Sequence, residues 1–196
     1  MTNTTILLPS SYPRNYQIPG FKDYFQQQRQ TNWCWIATAV SVANFYNKNP
    51  NTWNQCVVYD KSVDARARDN RSACTFDTKA NIGKLPSNDA CNQTGYPKAS
   101  MDAVGIYVRH GKFGSPGYVY NDVKTLVDND QPPIIGLNFT TERASWKHVV
   151  VVFGYTVDGK WWIADPLKPN VLCYSTDELQ NKGIYAAELF VSGPKV

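Results

Sequence analysis

The stretch 27-QQRQTNWCWIATAVSVANFYN-47 sets Cys34 between two tryptophans, six residues after Gln28 and at the head of an apolar run. The run predicts a helix over residues 33–47, with Asn32 placed to cap it and Asn49-Pro50 to stop it. Its apolar residues (Trp35, Ile36, Ala39, Val40, Val42, Ala43, Phe45, Tyr46) go nearly all the way round, the pattern of a helix buried on every side. A cap at Asn32 puts Cys34 at the second helical position. Free N–H groups and the positive end of the helix dipole favour an anion there, and a thiolate so placed is a ready nucleophile. A lone cysteine is more often an inert small hydrophobe, so the rest of the chain has to decide.

The chain has 196 residues, 42% hydrophobic and 18% charged, the composition of one soluble domain with a substantial core. Its net charge of +4 is mild and its Lys and Arg are scattered, so a nucleic-acid partner is not expected. No apolar stretch approaches about eighteen residues, so no membrane span is expected. The opening MTNTTILLPSSYPRN has no basic region and does not read as a secretory signal. With two His and five Cys but no C-x-x-C, neither a metal nor another cofactor is expected. One disulfide is expected among Cys56, Cys74 and Cys91, with Cys173 a buried thiol in its strand; spacing fixes no connectivity.

Residues 1–20, with Pro9, Pro13 and Pro19, read as an extended arm. A second helix is predicted over 52–68, a long irregular segment over 69–100, a short helix in SMDAVGIYVRH (100–110) and an amphipathic helix in NDVKTLVDND (121–130), opened by Asn121 or Asp122. Then the character changes. PPIIGLNF, KHVVVVFGYTV, KWWIADP, NVLCYS and IYAAELFV are β-branched and aromatic runs separated by turn residues. Helices followed by strands mean α+β. Residues 21–196 are therefore expected to form a single domain, helical over about 21–130 and β over about 131–196.

The stretch 145-SWKHVVVVFGYTVDGKWWIADP-166 places His148 at the start of one strand and Asp165 at the end of the next. A cysteine nucleophile needs a base, and the base needs a carboxylate or amide to hold its tautomer. His148 and Asp165 meet only in some hairpin registers. A two-residue Asp158-Gly159 turn would leave them roughly 13 Å apart along the strand. A four-residue loop, Thr156 to Gly159, or a bulge with the same effect, brings Asp165 opposite Val150 and diagonal to His148. Gly159 would then take the left-handed position. Gln28 offers a side-chain amide to a developing oxyanion. His110, in RHGKFGSPG, is the rival base and reads as exposed loop.

These residues together resemble the papain-like cysteine peptidases: a Gln, a Cys-Trp at a helix start, a distant His, and an Asn or Asp on the neighbouring strand. The NWCWIA form and the Asp-Pro look most like small bacterial papain-like proteases, including effector proteases delivered into hosts. Departures are Asp in place of Asn, T-N-W in place of C-G-S, and a Cys-to-His spacing shorter than papain's ~130–150. The resemblance implies a papain-like α+β fold: a helical lobe whose central helix carries Cys34, an antiparallel β lobe, and a cleft between. It implies a cysteine protease in which Cys34 attacks, His148 moves the proton, Asp165 orients His148, and Gln28 with the Cys34 N–H holds the oxyanion. The partner would be a protein or peptide substrate and the protein a monomer, secreted or delivered to a host cell, or else cytoplasmic. Alternatives are an amidase acting on peptidoglycan or isopeptide bonds, and an inactive papain-like binding module. Trp33, Trp35, Trp146 and Trp161 read either as shields of the ion pair or as core.

Overall fold

The computed structural model describes residues 15–63, 91–113, 116–140 and 145–194. At its centre is α1 (Cys34–Asn47), buried from Trp35 through Phe45, as an apolar pattern on all sides requires. Its buried polar residues are satisfied internally. Thr38 and Ser41 hydroxyls donate to the carbonyls of Cys34 (2.9 Å) and Ala37 (2.7 Å), and the Asn44 amide bonds Pro50 and Trp53. The helix stops at Lys48, left-handed with φ 52°.

Helices α2 (Gln55–Ser62) and α3 (Pro97–Val104) pack on α1 and on each other. The Asn54 side chain caps α2, and Gly105 at φ 75° ends α3. A further helix, α4 (Pro116–Asp128), lies against the sheet. The sheet has seven antiparallel strands: β1 (Tyr16–Gln17), β2 (Tyr107–Lys112), β3 (Ile134–Thr140), β4 (Ser145–Tyr155), β5 (Lys160–Ala164), β6 (Leu172–Ser175) and β7 (Ile184–Ser192). Their order is β2-β7-β3-β4-β5-β6, with β1 on the end of β4 that β3 does not reach. A short helix, α5 (Thr176–Gln180), follows β6, held by a Ser175–Glu178 capping box. Phe21 ties the layers together: its buried ring lies 5.6 Å from Phe45 of α1 and 5.4 Å from Phe153 of β4. Each such pair contributes about 0.5–1.5 kcal/mol beyond area burial.

The fold is α+β, as the order of runs predicts, and the five C-terminal strands fall where expected. Three expectations need correcting. The helix over 100–110 is α3, which starts earlier and ends at Gly105; Tyr107–Lys112 is a strand instead. As the exposed edge of the sheet, β2 needs no apolar face, so its Arg, His and Lys gave no alternating signal. The amphipathic helix opens at Pro116 rather than at Asn121 or Asp122. The second helix is confined to Gln55–Ser62, because Asn54 caps its start and the extended backbone of Val63 ends it. The described part of residues 1–20 is held on the sheet: β1 pairs with Gly154 and Tyr155, and Ile18 donates to the Phe153 carbonyl. The irregular segment expected over 69–100 lies outside the described residues up to residue 90. Among the described residues no helix is long and apolar enough to cross a membrane.

Candidate active site

Cys34 is the first residue of α1, not the second, and Trp33 holds the cap position with no side-chain bond. Asn32 is not the cap because it is engaged elsewhere. Its backbone N–H donates to Asn92 Oδ1 (2.9 Å), its amide donates to the Asn92 carbonyl (2.8 Å), and the Asn92 amide bonds Thr31 Oγ1 (2.6 Å). The neighbouring carbonyls of Cys91 and Gln93 accept the indole N–H groups of Trp33 (2.8 Å) and Trp35 (3.3 Å). Three successive carbonyls thus fasten the turn before Cys34 to one extended segment. Cys91, at its start, is disulfide-bonded, while Cys34, Cys56 and Cys173 are free thiols and Cys74 lies outside the described residues. Cys173 is only half-buried, not the buried thiol expected. Trp33, Trp35 and Trp161 are core residues; the Trp146 side chain lies outside the description.

The β4–β5 hairpin delivers the second pair of groups. Tyr155 pairs with Trp161 and Gly154 with Trp162, then the register shifts, so that Val152 pairs with Ile163 and Val151 with Ala164. The Thr156 N–H donates to the Lys160 carbonyl (2.9 Å), so Val157–Gly159 is a three-residue loop, one residue shorter than a Thr156–Gly159 loop, and a bulge at Phe153 supplies the remaining shift. One step further puts Asp165 beside Val150. Gly159 is left-handed at φ 82°, as expected. His148 Nε2 donates to Asp165 Oδ1 at 2.6 Å, with His148 only 3% exposed. The backbone N–H of Leu167 donates to the same oxygen (2.9 Å), and the N–H of Gln28 reaches the Pro166 carbonyl (3.0 Å), joining the turn after Asp165 to the segment before Cys34.

Burial alone would lower the pKa of His148. Its hydrogen bonds to Asp165 and to Cys34, and the charges of both, outweigh this and raise it to about 9. Burial alone would raise Asp165, but its bond to His148 and the imidazolium charge hold it below the usual carboxylate value. Each member of the pair thus favours the charged form of the other.

Gln28 is buried, and its amide nitrogen donates to the carbonyls of Gln30 (2.8 Å) and Thr31 (2.6 Å). Both amide hydrogens are therefore engaged in shaping the turn into Cys34, where a free donor was expected. The Cys34 backbone N–H has no acceptor among the described residues, as befits the start of a helix.

Cys34 and His148 face a cleft of about 550 Å³, which Thr94, Gly95 and Tyr96 also line. Gly95 has no room for a side chain, since a Cβ there would lie 2.4 Å from the Trp35 ring. Gly95→Ala must push Trp35 off its seat behind Cys34. It is expected to cost about 1–3 kcal/mol in denaturant unfolding and to lower kcat/KM in the same protein. His110 is on β2 rather than in a loop, stacked on Phe190 at 5.6 Å, with Nδ1 bonded to the Tyr107 hydroxyl. It does not line the Cys34 cleft.

Sequence reading missed Asn92, Gly95 and the Leu167 N–H. The first two sit in an irregular segment with no periodicity, and the third is a backbone group that any residue would supply. A family model described as the Peptidase_C39 like family matches residues 20–185, a span that includes Gln28, Cys34, His148 and Asp165. No curated protein matches the chain.

Proposed function

Since the chain belongs to the Peptidase_C39 like family, we propose that it hydrolyses peptide bonds in protein substrates by acyl transfer through Cys34. The family makes it a cysteine-peptidase-type hydrolase; the roles of individual residues are our reading. One observation carries it. A buried imidazole, bonded through Nε2 to Asp165 at 2.6 Å, lines the same cleft as the Cys34 thiol.

The Cys34 thiolate attacks the scissile carbonyl, and the free Cys34 N–H receives the oxyanion. His148 stays in the imidazolium form because Asp165 holds its Nε2 proton, leaving Nδ1 to protonate the departing amine. His148, now neutral, takes a proton from water, which hydrolyses the thioester and frees Cys34. Gln28 supplies a second oxyanion donor by exchanging one of its two carbonyl bonds for the substrate oxygen. Gln28→Ala is accordingly expected to lower kcat roughly 10–1000-fold with KM little changed. Loss of the donor to two carbonyls should also cost about 1–3 kcal/mol of stability. A stability loss without the kcat loss would make Gln28 a turn-holding residue only, and a pure KM effect would make it a substrate contact.

Peptide bond cleavage is tested by digesting a whole proteome with wild type and with Cys34→Ala, then sequencing new N-termini. New termini only with the wild type support the reading. Identical digests overturn it, and release of peptides from peptidoglycan without protein cleavage would make the enzyme an amidase.

A further inference from the structure

Beside the His148–Asp165 pair lies a second cavity, of about 270 Å³. That is the room of about nine waters at ~30 Å³ each, enough for one large side chain. It lies on the sheet face that carries His148 and Val150, and its wall is built by Leu137, Val150, Ile163, Leu172, Leu179 and Ile184. These residues come from five strands and from α5, so the hollow belongs to the folded sheet, not to one loop. Apart from Tyr174 and the two exposed lysines Lys168 and Lys182, the polar residues on the wall are His148 and Asp165, already bonded to each other. A polar side chain would lose its water there for little return; an apolar one would gain. His148 and Leu167 line both this cavity and the Cys34 cleft, so the two lie side by side.

Charge adds a second requirement. Lys168 and Lys182 are exposed at the cavity and Lys147 is exposed at the cleft. Among the described residues lining the two, the sole carboxylate is Asp165, engaged by His148 and by the Leu167 N–H. On α5 nearby, Glu178 is engaged by the Ser175 N–H (2.7 Å) and by Lys160 (3.6 Å). Glu188 sits beside Tyr96 of the cleft, so the positive charge is offered at the cavity, by Lys168 and Lys182.

We propose that this cavity is a specificity subsite for the peptide substrate: it takes one large apolar side chain, and Lys168 and Lys182 hold an acidic residue adjacent to it. This rests on the peptidase reading given above, but its test does not. Binding is measured with Cys34→Ala, which holds peptides without cutting them. The probes are fluorescein-labelled peptides of one fixed sequence in which a Phe-Glu, Ser-Glu or Phe-Lys pair is moved along position by position.

At the position that reaches the subsite, Phe-Glu should bind at least about tenfold tighter than Ser-Glu and about three- to tenfold tighter than Phe-Lys. Adding Lys168→Glu and Lys182→Glu, both exposed and tolerant of change, should reverse the charge preference. Adding Leu172→Trp, which fills the cavity, should remove the preference for Phe. Equal affinities for the three peptides at every position, or a charge preference that survives the double swap, would overturn the subsite. The wild type is then given the same peptides. Selective binding without any cleavage would retire the peptidase reading and leave the subsite standing; cleavage without selectivity would do the reverse.

Discussion

Cys34→Ala is expected to abolish turnover, by roughly 10⁴–10⁶-fold in kcat, with unfolding free energy within about 1 kcal/mol of wild type. The two halves of this expectation come from the same placement. Cys34 is half-buried at the start of α1, so its side chain adds little to a core built by Trp35, Ile36, Ala39 and Val40, and alanine is the best helix former. Its thiol, by contrast, is the group that the cleft exposes beside His148. Denaturant titration and steady-state kinetics on one preparation check both halves. Persistent turnover would remove Cys34 from the chemistry, and a large stability loss with residual turnover would make it a core residue.

Asp165→Ala should lower kcat by about 10²–10⁴-fold, the range for losing the group that orients a catalytic imidazole. It should also move the alkaline limb of the rate profile. In the wild type His148 keeps its proton up to about pH 9, so activity that depends on the imidazolium should fall as pH rises through that value. Without Asp165 the burial of His148 is opposed by Cys34 alone, and the limb shifts to lower pH. Stability carries the same signs. A histidine whose pKa is raised on folding contributes stability that is fully present below its unfolded value near 6.5 and lost as pH rises through about 9. A carboxylate lowered on folding contributes stability above its unfolded value near 3.8 and loses it as pH falls through its lower folded value. The stability deficit of Asp165→Ala should therefore be widest between these two unfolded values and narrow toward pH 9 and toward acid. A rate profile whose alkaline limb does not move would mean that Asp165 does not hold the His148 proton.

What could be read from the sequence was what side-chain type and periodicity carry. A helix apolar on all sides has to be central, and α1 is. Five β-branched and aromatic runs have to be strands, and β3 to β7 are. The hairpin is more instructive. Asp158-Gly159 is a strong local signal for a two-residue turn, yet the chemistry of His148 and Asp165 demanded a different register. The chain meets that demand with a longer connection and a bulge at Phe153. The missed features lie where periodicity is silent. Arg109, His110 and Lys112 sit on an edge strand with no buried face. Asn92 clasps Asn32 from an irregular segment far away in sequence, and in doing so takes Asn32 from the cap that local pattern assigned to it. The two bonds of the Gln28 amide go to backbone carbonyls, acceptors that every residue carries and no motif marks.

The most direct measurement is reaction with one equivalent of a peptidyl epoxide, followed by tandem mass spectrometry and residual activity on the same samples. The free thiols of Cys34, Cys56 and Cys173 compete on equal terms of supply. The expected result is a single adduct on Cys34, activity lost in proportion to labelling, and little labelling in His148→Ala. Adducts on Cys56 or Cys173 in place of Cys34, or full activity in protein whose Cys34 is completely labelled, would contradict a Cys34–His148–Asp165 peptidase.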